Sequence, residues 1–210
     1  MKRILVAAFL LLGSVPVLAA DPPVTAGAAY ELTGFRSARF GMTEQEVRAA
    51  IGKDFGAKAG AVKASDNLYE QTKILSLAVP ELLPKGGTAE VNYTFGFKSK
   101  RLIQVTLVWS KASDPAITAD MITANGTLLA GYFMSAGYQP NTIAQNKAAG
   151  NGLVLFQGSD AQGHTTVALL EGTVTPGENG NASLTPTQLT VRYIQDPRTP
   201  DVYKLPPGQF

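Results

Sequence analysis

The chain has no cysteine, one histidine and one tryptophan among 210 residues, and only 16% of it is charged. The missing cysteine excludes disulfides, thiolate nucleophiles, Cys-containing metal sites and lipid attachment at an N-terminal cysteine, so no lipid anchor is expected. A lone histidine leaves any metal to oxygen ligands and leaves a Ser-His-Asp triad only one place to form. No apolar run reaches the ~20 residues that cross a bilayer: the longest is broken at Gly13-Ser14 and Pro16, which predicts no membrane span. Clustered Lys/Arg with interleaved aromatics is also missing, so no nucleic-acid partner is expected.

What is present begins with Lys2 and Arg3, an apolar stretch from Ile4 to Leu12, and Val17-Leu18-Ala19-Ala20 before Asp21. This pattern predicts a secretory signal peptide cleaved after Ala19 or Ala20. Export without cysteine fits a protein of the bacterial periplasm. Loss of Lys2 and Arg3 reduces the 18 Lys+Arg to 16, equal to the 16 Asp+Glu, so the apparent basicity belongs to the leader. Asn181-Ala182-Ser183 is formally a glycosylation sequon and carries little meaning in that compartment.

The strongest local signal is the stretch from Phe40 to Gly52. Thr43 and Glu46 have the spacing of a capping box, Met42 and Val47 that of a hydrophobic staple, and Glu44 and Glu46 suit the positive end of a helix dipole. Val47, Ala50 and Ile51 give a buried stripe, and Gly52 offers a stop. Residues 53–67 lack periodicity and read as a loop, with a second weak helical turn as the alternative. Residues 73–79 form a strand. Ala89, Val91, Tyr93, Phe95 and Phe97 then alternate with polar residues, as do Ile103, Val105, Leu107 and Trp109. A period of two marks strands with one buried face, and three strands joined in sequence make an antiparallel meander. Tyr93 and Trp109 fall on its buried side.

Asp114-Pro115 predicts an N-cap and first turn for a second helix over 115–136, closed by Gly137. Gly126 and Gly131 weaken it by about 1 kcal/mol each relative to alanine, which close approach to the sheet would explain. Strands follow at 153–156, 165–174 and 188–194, with a Gly/Asn/Pro loop over 175–186 and a Pro-rich tail in which Tyr203 and Leu205 are the candidate pins. The expected fold class is α+β: helices packed on an antiparallel β-meander sheet, in two tandem helix-plus-three-strand modules. The expected layout is signal peptide 1–20, flexible lead-in 21–34, modules 35–112 and 113–195, and tail 196–210.

The run Arg39-Phe40-Gly41-Met42-Thr43-Glu44-Gln45-Glu46-Val47, followed by Val91-Asn92-Tyr93-Thr94-Phe95 and Arg101-Leu102-Ile103-Gln104-Val105, resembles the BamE/SmpA-type outer-membrane assembly lipoproteins and the related β-lactamase inhibitor proteins. The resemblance is clearest over residues 39–110. It implies a small exported α+β fold and a binding role, with another envelope protein as partner.

Chemistry is sparse. His164 follows the turn Asp160-Ala161-Gln162-Gly163 and reads as an exposed hairpin histidine; the sharper alternative pairs it with Asp160 and Ser159. Asp54, Asp66, Glu70, Glu81 and Glu90 fall in loops or on polar strand faces, where solvated carboxylates are the norm. Gly150, Gly152 and Gly158 lack the order of a phosphate loop, and Asp160-x-x-Gly163 lacks the acidic ladder of a calcium loop. No cofactor, metal or catalytic residue is expected. Tyr132 and Tyr138 are the candidate interaction surface, and Met42, Thr43, Glu46 and Val47 the structural helix cap. The expected function is non-enzymatic protein–protein interaction in the periplasm, in envelope maintenance or inhibitor-like binding; the alternative is binding of a small ligand or lipid.

Overall fold

The computed structural model describes residues 30–177, 182–206 and 208. The leader, most of the lead-in, the first residue of the sequon and the C-terminal Phe210 lie outside the described residues. The fold is α+β, with two helices on one eight-stranded antiparallel sheet. A short hairpin, β1 (Gly34–Phe35) with β2 (Ala38–Arg39), leads into α1 (Glu44–Phe55). The strands β3 (Lys63–Asn67), β4 (Thr72–Val79), β5 (Ala89–Phe95) and β6 (Leu102–Ser110) follow. After α2 (Ala119–Ser135) come β7 (Lys147–Ala149), β8 (Gly152–Ser159), β9 (Thr165–Pro176) and β10 (Ala182–Ile194). Their order across the sheet is β3-β4-β5-β6-β10-β9-β8-β7.

The cap of α1 forms as its residues require. Thr43 Oγ1 accepts from Glu46 N–H at 3.3 Å, and Glu46 Oε2 accepts from Thr43 N–H at 2.7 Å. Val47 is fully buried, and Met42 packs against the same core. Gly52, however, lies inside the helix. Gly56 ends it in the left-handed region (φ 61°), with its N–H on the Gly52 carbonyl. The extra turn brings Phe55 against the core, a gain that the Gly52 stop would forgo.

Asp114 does not cap α2. Its carboxylate accepts from Thr88 N–H at 2.8 Å and Ala116 N–H at 2.9 Å, tying the entry of β5 to a turn, and Thr118 Oγ1 takes the cap by accepting from Met121 N–H at 3.2 Å. The helix therefore starts at Ala119, four residues later than the Asp-Pro pair predicts. Close approach to the sheet holds for Gly126, where a Cβ would meet Leu155 Cδ1 at 2.6 Å. It fails for Gly131, which has open space around it.

Four strands follow each helix where the sequence predicts about three. The unforeseen ones, β3 and β7, are the two edges of the sheet. Exposed on nearly every residue, they carry no apolar alternation, and backbone pairing to one neighbour is all that defines them. The hairpin β9–β10 likewise continues to Pro176 and Ala182, into the stretch 175–186 that reads as a loop; Pro186 falls at a register shift, where a ladder tolerates a missing N–H. The core lies between the sheet and its helices: Trp109, Tyr93, Phe133 and Phe156 are its largest fully buried side chains, as the alternation predicts for Tyr93 and Trp109.

The two helix glycines should respond differently to alanine. Gly131→Ala is expected to stabilise the protein by about 0.5–1 kcal/mol, because the methyl meets nothing and helix propensity improves. Gly126→Ala should give back most or all of that gain by displacing Leu155. Urea unfolding of the two variants at constant m-value measures the difference.

Candidate functional site

Side chains of successive strand residues point to opposite faces. On β5, β6 and β10 the set Val91, Tyr93, Val105, Leu107, Leu189 and Val191 goes to the core. The opposite set makes rows across the sheet, and one runs Ser76, Asn92, Thr106, Arg192, Val167 through direct register partners. A second runs Ile74, Thr94, Gln104, Ile194, Thr165. This face is rich in hydroxyls and amides and poor in charge. Its side chains are pre-ordered by mutual hydrogen bonds: Ser76 Oγ donates to Asn92 Oδ1, Gln104 Nε2 to Thr106 Oγ1 at 3.0 Å, and Gln188 Nε2 to Glu171 Oε2 at 2.9 Å.

Together with its rims the face forms an open groove of about 1340 Å³. Side-chain knots hold the rims. Asp160, buried in the β8–β9 turn, accepts from Leu32 N–H, Gln162 N–H and His164 N–H at 2.9 Å each. It thereby fastens the lead-in to the far half of the sheet. Asp201 fastens the tail to the β5–β6 turn, accepting from Lys98 N–H at 2.9 Å and Ser99 N–H at 2.8 Å, while its carbonyl accepts from Phe97 N–H. Burial pushes the Asp201 carboxyl up, but the hydrogen bonds from Ser99 and Lys98 outweigh it and hold the group below its ordinary value. Tyr203, a predicted pin, stacks edge-on to Phe97 at 5.4 Å and donates its N–H to the Glu70 carbonyl; Leu205, the other, is exposed.

His164 is only about a fifth exposed, not the open hairpin histidine the sequence predicts. Its Nδ1 lies 3.1 Å from Asp160 Oδ2. The third group of the sharper alternative is engaged elsewhere, since Ser159 Oγ shares a hydrogen bond with Thr165 Oγ1 at 2.7 Å. The pair Asp160–His164 thus orients an imidazole whose neighbouring serine is turned to Thr165. Glu70 and Glu90 line the groove and take part in no ion pair among the described residues, and Asp54 accepts from Ser37 N–H at 2.9 Å. No group of three His, Asp or Glu side chains able to hold a metal occurs among the described residues.

The two tyrosines proposed as an interaction surface part company. Tyr132 is 60% exposed on α2, on the helix side of the sheet. Tyr138 is 3% exposed, its hydroxyl hydrogen-bonded to Thr166 Oγ1 at 2.5 Å and to the Tyr30 hydroxyl at 3.3 Å, with its one proton serving one of the two. Burial pushes its pKa up, well beyond the usual phenol range, and it is a core residue unavailable to a partner. The groove residues escape a reading of the sequence because outward strand positions look like ordinary solvent contacts. Their signal is the choice of Ser, Thr, Asn and Gln where Lys and Glu are the cheaper means of solvation.

No known protein-family model, curated protein or solved structure matches the chain. No helix among the described residues is long and apolar enough to cross a membrane.

Two measurements follow from the rims. Asp160→Ala strands three backbone N–H groups, at least one of them buried, and is expected to cost about 3 kcal/mol or more in denaturant unfolding, with Asp160→Asn intermediate. Asp201 and Asp114, whose carboxyl is held low by the N–H groups of Thr88 and Ala116, contribute stability that is present above the unfolded Asp value of about 3.9 and is lost as pH falls through the lower folded value. Stability measured below about pH 4 should therefore drop, and Asp201→Asn should flatten that part of the profile.

Proposed function

We propose that this chain is a non-enzymatic, exported periplasmic protein that receives a partner envelope protein on the polar face of its sheet. In this reading the molecule is built of two tandem helix-plus-meander modules. Support comes from the strand order, in which each helix precedes four consecutive strands and the halves meet at β6 and β10. That layout is compatible with the resemblance to the assembly lipoproteins and inhibitor proteins in its first half.

The observation that carries the binding role is the groove. Its floor is regular backbone with side chains already hydrogen-bonded in place, so little ordering is needed when a surface docks on it. Its breadth and openness suit the surface of a protein better than a small molecule, which favours an enclosed and largely apolar cavity. A lipid would meet hydroxyls, amides and Arg192 where it needs hydrocarbon. Bulky apolar residues fill the helix side of the sheet, which argues against a lipid there too.

A photo-crosslinking side chain at position 92, on the groove floor, is expected to yield a discrete protein adduct in periplasmic extract. The same group at position 123, on the outer face of α2, should yield none, and Thr106→Arg should abolish the first adduct while leaving the melting temperature within a few degrees. A co-purifying small molecule with no adduct at position 92 would instead support the ligand-binding reading.

A further inference from the structure

The β3–β4 turn holds two large apolar side chains out in solvent. Leu68 is 84% and Tyr69 92% exposed, the highest values for any large hydrophobic residue among those described. The turn itself is firmly built. Asn67 Oδ1 accepts from Tyr69 N–H at 3.1 Å and Glu70 N–H at 3.2 Å, and its amide donates to Glu70 Oε2 at 3.1 Å. The Glu70 carbonyl also receives Tyr203 N–H. Side chains presented from such a turn lose little backbone freedom on docking. The tip is acidic: Asp66 and Glu70 flank it, while Lys73, the register partner of Asp66, has its ammonium on Glu44 at 2.6 Å.

The same end of the sheet carries a hollow of complementary character. Phe40 and His164, ring centres 5.4 Å apart, wall a shallow space of about 510 Å³ bounded by Thr33, Arg39 and Gln195. The exposed Arg39 guanidinium donates to Thr33 Oγ1 and takes part in no ion pair among the described residues. Aromatic walls with a basic edge match an aromatic tip with acidic flanks. A chain cannot fill its own hollow, because β4, β5 and β6 lie between the β3 edge and β10, about 15–20 Å at the usual strand spacing.

We propose that the Leu68–Tyr69 tip of one copy docks in the Phe40–His164 hollow of a second copy, with Asp66 and Glu70 directed to Arg39. Tip and hollow share one end of the sheet, the arrangement that a twofold end-to-end pair needs to make both contacts at once. An anionic membrane surface is a poorer occupant, since it repels the acidic flanks. The contact uses the rims and not the groove floor, so it stands or falls apart from the partner reading above.

Sedimentation velocity of the purified chain beginning at Asp21, between about 10 μM and about 1 mM, covers the range in which small contacts of this kind bind. The expected result is a concentration-dependent dimer. Leu68→Asp, Tyr69→Asp and Arg39→Glu should each raise its dissociation constant at least tenfold, and combining Arg39→Glu with Glu70→Arg should restore it. All four positions are exposed side chains outside the core, and an unchanged melting temperature certifies each variant as folded. A monomer at every concentration, or a dimer indifferent to Leu68→Asp and Arg39→Glu, overturns the proposal. So does co-sedimentation of the monomer with phosphatidylglycerol vesicles that Leu68→Asp abolishes, which would assign the tip to lipid.

Discussion

The ladder between β6 and β10 is the pairing on which the rest of the molecule depends. Every other pairing in the large sheet joins strands that are consecutive in the chain; this one joins segments separated by α2 and three further strands. Seven register pairs, from Gln104 with Ile194 to Ser110 with Gln188, convert two runs of strands into one surface. The central pairs do double duty. Trp109 with Leu189 and Val105 with Tyr193 meet on the core side, while Thr106 with Arg192 meets on the groove side. The wide polar floor exists only because this seam is closed.

A second theme is the use of carboxylates as fasteners. Asp160, Asp201 and Asp114 each gather backbone N–H groups from segments distant in sequence, and so fix stretches that have no ladder of their own. In a chain without disulfides, short-range charge-assisted hydrogen bonds take over the task of holding lead-in and tail to the body. The result is a groove whose rims are as well determined as its floor.

The sequence makes part of this legible, and the boundary has a physical explanation. Thr43, Glu46 and Val47 announce α1 because capping is a local interaction among neighbours in the chain. Tyr93, Val105 and Trp109 announce buried strands because burial imposes a period of two. The edge strands β3 and β7 bury little and so impose no period. Asp114 misleads because the sequence cannot display Thr88 as its competing partner, and Tyr138 misleads because nothing local reveals Thr166 over its hydroxyl. The tip at Leu68 and Tyr69 is visible in sequence only as two apolar residues in a polar stretch, and its exposure depends on Asn67 closing the turn beneath it.

The seam also governs the order in which the molecule can assemble. Helix α1 and the strands through β6 form contacts between near neighbours, which are fast to find, whereas β10 is the last strand of the chain and must close a loop containing all of α2 and β7–β9. Until β10 arrives, β6 is an unpaired edge presenting Val105, Leu107 and Trp109 on an uncovered apolar face. A chain emerging N-terminus first therefore passes through a stage in which its most aggregation-prone surface waits for its final strand.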